Sequence, residues 1–196
     1  MSADCGAAIF QAVNASRSSL KRFMWWAHLD LAKTQEEANA LYNSFYEKTI
    51  KGEEANFALI DPKNNACMGC ASLVSGSRLN PAALEVGYWI ATPYQGRGLA
   101  TQATRILIVQ AFHYYETDRL CVTSNPENGA SLRVIEKCGF KREGLLRNML
   151  PAPTPEMVAD GYSKVQDVLS FSLTPQDLGE LAWYEPLLLE LYPARN

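Results

Sequence analysis

Residues 85–101 read E-V-G-Y-W-I-A-T-P-Y-Q-G-R-G-L-A-T, and the fold turns on how this stretch is read. Its first half alternates, with Glu85, Gly87 and Trp89 on one face of an extended strand and Val86, Tyr88 and Ile90 on the other. Glycines then flank Arg97, and the chain runs directly into TQATRILIVQAFHYY (101–115). There Ala100, Ala103, Thr104, Leu107, Ile108, Ala111 and Tyr115 recur at helical spacing. A strand ending in a glycine turn that opens a helix presents unpaired N–H groups at the positive end of the helix dipole, which suits an anion. Gly96 and Gly98 let backbone approach phosphate oxygens with no Cβ in the way. The turn is neither a dinucleotide fingerprint, lacking the third glycine, nor a Walker loop, lacking G-K-S/T. Taken alone, it fits a ligand-free connection equally well.

Working outward, residues 56–61 (NFALID) and 70–76 (CASLVSG) flank the turn-rich PKNNA and predict a hairpin ahead of the strand at 84–91. Upstream, Ala8, Ile9, Ala12 and Val13 mark a first helix beginning near Asp4. A second helix follows over 34–52, with Thr34 and Glu37 as a capping box and Gly52 as its stop. Its expected inner face is Ala38, Leu41, Tyr42, Phe45, Tyr46, Thr49 and Ile50. The aromatic segment KRFMWWAHLD between the two helices is too short and irregular for an element. Downstream, RLCVTS (119–124) predicts a strand, NGASLRVIEKCGF (128–140) a helix closed by Gly139, and 142–150 and 165–173 two more strands. PAPTPE (151–156) reads as loop. A cap at Thr174–Asp177 opens an apolar tail that Pro186 should break or kink. The order gives an α+β fold: one domain over 1–174, with a helical tail over 175–196.

A chain of 196 residues with 47% hydrophobic and 20% charged residues supports one sizeable core. A net charge of −3 speaks against a nucleic-acid binder. No apolar run approaches a membrane span, and the start MSADCGAAIFQ lacks a signal pattern, which points to the cytoplasm. Five cysteines are scattered along the chain. The pair in CMGC (67–70) has no second pair to complete a zinc site, so no metal is expected and the thiols read as buried packing groups.

QGRGLA (95–100) matches the Q/R-x-x-G-x-G/A pyrophosphate motif of the GNAT N-acetyltransferases, and NGASLRVIEKCGF resembles that family's following helix. The wording of 85–103 together with 125–144 is most similar to the RimJ/RimL type, the ribosomal-protein N-acetyltransferases and their relatives. The resemblance implies a mixed, mostly antiparallel sheet flanked by helices, acetyl-CoA as co-substrate and direct attack by a primary amine on the thioester. That amine is a protein N-terminus or a small molecule. It further implies that amides from Gln95 through Gly96, Arg97, Gly98, Leu99 and Ala100 hold the pyrophosphate. Backbone at Ile90 and the Asn128 side chain would bind the pantetheine arm, and Lys137, Lys141 and Arg142 are candidates for the remote 3′-phosphate.

Many relatives carry a tyrosine as acid just before the E-K-x-G-F run, where this chain has Ile135. Ser131, one turn earlier, is the remaining candidate acid, although a serine there is equally a local helix cap. Glu85 is the candidate base, acting through a water, with a solvated strand-end glutamate as the plainer alternative. His28 can border the acceptor groove, and His113 falls on the outer side of its helix. Trp25, Trp26, Tyr42 and Phe45 read first as packing residues. A non-catalytic acyl-CoA sensor of the same fold stays open, with Ile135 as its support. Typical relatives begin with a strand that this chain leaves no room for. A bare sheet edge and an apolar tail make a homodimer an expectation.

Overall fold

The computed structural model describes residues 5–29, 31–76, 80 and 82–193. Helices α1 (Gly6–Leu20) and α2 (Gln35–Ile50) precede strands β1 (Ala55–Ile60), β2 (Cys67–Ser75) and β3 (Ala83–Ile90). Then come α3 (Leu99–Val109), β4 (Arg119–Ser124), α4 (Gly129–Cys138), β5 (Lys141–Leu146), α5 (Pro155–Ala159), β6 (Val168–Leu173) and α6 (Tyr184–Leu191). The strands form one six-stranded sheet in the order β1-β2-β3-β4-β6-β5. Every neighbouring pair is antiparallel except β3 with β4.

The alternating strands separate two cores. Phe57, Leu59, Ala71, Leu73, Val86 and Tyr88 face α3, joined by Leu120, Val122 and Leu173 from the other half of the sheet. On the opposite face Ala58, Ile60, Cys70 and Trp89 meet Ile9 and Val13 of α1. Cys67 is buried in that second cluster, so the CMGC thiols pack against α1. Among the described residues no strand precedes α1, and β1 is the sheet's outer strand. No described helix is long and apolar enough to cross a membrane.

Several sequence expectations need correction. Asp4 lies outside the described residues, and α1 is described from Gly6. The β2 strand starts at Cys67 rather than Cys70, with a register shift opposite Leu59 and Ile60 that absorbs the extra length. Thr34 does cap α2 by accepting from the Glu37 N–H at 3.2 Å. The Glu37 carboxylate, however, reaches the Lys33 N–H at 2.7 Å. Only Ala38 of the α2 face is buried and Ile50 is 64% exposed, so α2 packs on α1 and β1 with most of its stripe half-buried at best. Trp25–His28 forms a 3-10 turn, and the expected loop at 151–156 contains the start of α5, capped by Thr154 with Pro155 in its first turn. The tail is interrupted as Pro186 predicts: a 3-10 turn over Pro175–Glu180 ends at Leu181, and α6 restarts with Pro186 in its first turn, where the missing N–H has no helical acceptor to lose. The long helix ends at Val109 and continues as a π-helical turn over Gln110–Tyr114.

The tail is used on its own domain. Tyr184 is buried in the larger core, Trp183 faces the Arg105 guanidinium at 4.8 Å, and Leu181 lies over Gly139 at the end of α4. Lys141 pairs with Asp177 at 2.6 Å and Glu180 at 3.1 Å.

Gly69 is the tightest crossing of the sheet. A Cβ there would sit 2.2 Å from the Trp89 carbonyl oxygen and 3.0 Å from Ile90 Cα, both backbone atoms that cannot rotate away. Gly69→Ala is therefore expected to cost about 2 kcal/mol by forcing β2 from β3. Urea unfolding with an unchanged m-value would read that loss, and a midpoint equal to the parent's would contradict it.

Candidate active site

The hydrogen-bond pattern of β3 creates an opening in the middle of the sheet. Ala91 N–H bonds the Met68 carbonyl at 2.8 Å and Gly76 N–H bonds the Ala83 carbonyl at 2.9 Å. With the intervening register unbroken, residues 83, 85, 87, 89 and 91 spend their backbone groups on β2. Leu84, Val86, Tyr88 and Ile90 therefore turn theirs toward β4. Only Ala83–Glu85 pair with β4, opposite Arg119–Cys121. Val86 N–H is the last β3 donor to β4; beyond it the strands part, and the Val86 C=O with the N–H and C=O groups of Tyr88 and Ile90 line the gap.

At the open end of β3 stands the glycine turn. Gly96 and Gly98 have φ of +75° and +79°, the left-handed region open to glycine at little cost. A Cβ on either would meet nothing within 4 Å, so the space in front of the turn is open. The first bond of α3 runs from Gln102 N–H to the Gly98 carbonyl. The amides of Leu99, Ala100 and Thr101 before it have no helical acceptor, and Gly98 caps the helix with no side chain. Arg97 folds back over the Tyr94 ring at 5.2 Å and donates to the Pro93 carbonyl at 2.8 Å. Gln95 Nε2 donates to the Ile90 carbonyl at 3.0 Å and to Ser19 Oγ at 3.3 Å. These open amides, set beside a strand with free edge groups, fit a phosphorylated ligand carrying an amide-bearing arm.

Buried Ser16 of α1 anchors this turn, its Oγ accepting from the Thr92 N–H at 2.9 Å. A serine on the inner face of an amphipathic helix was the available sequence signal, and the periodicity that picked out Ile9 and Val13 passed over it. Ser16→Ala leaves that N–H without its partner and should cost about 1 kcal/mol. Chemical denaturation measures this, and an unchanged stability would show that the turn holds itself.

The two candidate proton carriers lie on opposite sheet faces. Glu85 Oε1 accepts from Thr123 Oγ1 across the β3–β4 junction at 3.0 Å. The same polar face holds Arg119 against Glu143 at 2.5 Å, and that hydrogen bond keeps the Glu143 carboxyl below the usual carboxylate range. On the α3 side Tyr88 crosses to α4, its Oη 3.0 Å from Ser131 Oγ. Burial pushes the Tyr88 phenol up to about 12. Asn128 Oδ1 caps α4 by accepting from the Ser131 N–H at 3.1 Å. Ile135 is buried in the core. The loop between β4 and α4 is fixed by Asn125 Nδ2, which donates to Ser163 Oγ at 3.2 Å, while Ser163 Oγ donates to Glu127 at 2.7 Å.

Other sequence candidates fall elsewhere. His28 Nε2 lies 2.7 Å from the Lys21 carbonyl and its ring meets Tyr162 edge-on, so it braces the end of α1. His113 is exposed and stacks on Tyr192 at 4.4 Å. Trp26 packs on Trp89, whereas Trp25 is exposed. Among the 3′-phosphate candidates, Lys141 is engaged by the tail carboxylates and Arg142 is exposed on β5. Thr123 and Tyr88 were not singled out from the sequence, because their roles depend on partners 38 and 43 residues away.

Comparison with known proteins gives the family and the fold. A family model described as an acetyltransferase (GNAT) domain matches residues 2–141. The probable N-acetyltransferase YjcK of Bacillus subtilis is 30% identical over 114 residues, 58% of this chain and 63% of that protein. A ribosomal-protein-serine acetyltransferase of Escherichia coli is 30% identical over 95 residues, 47% of this chain and 50% of its own length. The chain thus spans less than two thirds of these curated relatives. Among solved structures, Mycobacterium smegmatis RimJ in complex with CoA-disulfide superposes with a TM-score of 0.77 at 20% identity, covering 97% of this chain and 86% of that one. That likeness is one of fold.

Proposed function

This chain belongs to the GNAT acetyltransferase family, and from that premise we propose that it transfers the acetyl group of acetyl-CoA to a primary amine by direct attack. The observation that carries the reading is the parting of β3 from β4 after Glu85, with the glycine turn at its mouth. Amides of Gln95, Gly96, Arg97, Gly98, Leu99 and Ala100 take the pyrophosphate at the positive end of α3. The pantetheine arm adds as a strand to the Val86 C=O, the Tyr88 N–H and C=O and the Ile90 N–H, while the Ile90 carbonyl serves Gln95. Asn128, whose Oδ1 caps α4, offers its Nδ2 to the same arm. The Arg97 guanidinium is close enough to join a phosphate once it leaves Pro93.

Acetyl transfer needs a neutral amine, a held thioester and a proton for the departing sulfur. Glu85, oriented by Thr123, takes the amine proton through a water. Ser131 donates a hydrogen bond to the leaving sulfur, which takes its proton from water. The acceptor is a protein N-terminal α-amine, a choice supported by the names of relatives that act on ribosomal proteins. The bare edge of β1 keeps a homodimer within the reading, and a monomer mass by light scattering at micromolar concentration removes it.

Thiol release from acetyl-CoA, measured against N-terminal peptides and small amines, tests the whole. Turnover confined to small amines redirects the acceptor. No turnover with any acceptor, in a protein that binds acetyl-CoA, selects the non-catalytic sensor instead.

A further inference from the structure

Two oxygens of Ser131 face one phenol. Tyr88 Oη lies 3.0 Å from Ser131 Oγ and 3.4 Å from the Ser131 carbonyl oxygen. Of the two hydroxyls the phenol is the more acidic and so the better donor, and the Oγ contact is the shorter of the two, so Tyr88 donates to Ser131 Oγ. The phenol holds its proton well above neutrality because its surroundings are dry, and the other titratable group near it, the Cys138 thiol, is itself pushed up to about 11 by burial. Both are therefore uncharged through the neutral range. The Ser131 backbone is fixed by Asn128 at the first turn of α4, which leaves its hydroxyl rotor as the one free variable.

A hydroxyl has one proton and two lone pairs. Without Tyr88, that proton could turn toward any nearby acceptor. With Tyr88 donating to one lone pair, the serine O–H is turned away from the phenol, and Ser131 itself is only half-buried in the first turn of α4.

We propose that Tyr88 is the positioning residue of this site: its phenol donates to Ser131 Oγ and thereby aims the serine O–H at the sulfur that leaves from acetyl-CoA. This rests on the reading of Ser131 given above. As the tetrahedral adduct collapses, the C–S bond breaks and its electron pair goes to sulfur. Ser131 donates a hydrogen bond to that thiolate, and Tyr88 keeps its own proton. The amine proton leaves by way of Glu85 and water, and the thiolate takes one proton from water, so the exchange balances.

CoA itself is the probe, since its free thiol stands where the leaving group stands and no acceptor is needed. The ultraviolet absorbance of bound thiolate is titrated at saturating CoA in the parent, Tyr88→Phe, Ser131→Ala and the double variant. In the parent the bound thiol should titrate about one pH unit below that of free CoA, the size expected of one hydrogen bond to a charged group. Ser131→Ala should remove this shift, Tyr88→Phe should remove most of it, and the double variant should match Ser131→Ala.

A Tyr88→Phe protein with the parent's thiol titration overturns the proposal while the Ser131 reading stands. So does a further change when Tyr88→Phe is added to Ser131→Ala, because Tyr88 would then act on its own. A parent-like titration in Ser131→Ala removes Ser131 from the sulfur, and the role of Tyr88 falls with it. CoA affinity lost in Tyr88→Phe but kept in Ser131→Ala marks the ring as packing for the arm and overturns positioning.

Discussion

A Gly98→Val variant is expected to show no rise in melting temperature with acetyl-CoA. In the parent, ligand at a hundredfold excess over Kd stabilises by about 2.7 kcal/mol, or roughly 5–10 °C for a chain of this size. The residue is at φ +79° and forms the N-cap of α3. A β-branched side chain cannot hold that left-handed backbone without strain of about 1–2 kcal/mol, and relieving the strain swings the first amides of the helix off their common target. The added Cβ meets nothing within 4 Å, so the fold itself should survive. Circular dichroism and the unliganded melting temperature check that survival. Gly98→Ala, strained but small, should keep part of the shift. A full shift in Gly98→Val would mean the ligand is held elsewhere.

The second large effect is on turnover. Glu85→Gln is expected to lower kcat by about 10²-fold, with KM for acetyl-CoA unchanged. The amide oxygen of glutamine still accepts from Thr123, so the side chain keeps its place while losing the charge that draws the proton. An α-amine loses its own proton to bulk water near pH ~8. The gap between variant and parent should accordingly narrow as pH rises through that value, because the amine then arrives neutral. A variant with the parent's kcat would take Glu85 out of the proton path and leave the cofactor-binding reading intact.

Much of this fold is local, and the local parts were legible. The alternation of residues 85–90, the left-handed glycines of the turn and the apolar repeat behind it depend on neighbours a few positions apart. The same holds for the Asn128 cap and the Gly139 stop around α4. Expectations failed where an outside partner overrode local preference. Ile50 lies on the apolar stripe of α2, yet it stays exposed at the helix's last residue, where no described residue packs over it. Lys141 reads as a phosphate partner, but the tail returns two carboxylates to it.

The sequence by itself determined a strand, a glycine turn and a helix that together can hold an anion, and a second helix of matching kind behind them. Only the tertiary structure decided that β3 leaves β4 after Glu85, and that Tyr88 reaches Ser131 on one face while Thr123 reaches Glu85 on the other. The physical reason is separation along the chain. Turn conformation and helix capping act between near neighbours and are written in residue type and spacing. The gap, the Tyr88–Ser131 pair and the Thr123–Glu85 bond join residues some 40 positions apart, and packing of the whole sheet sets which of them meet.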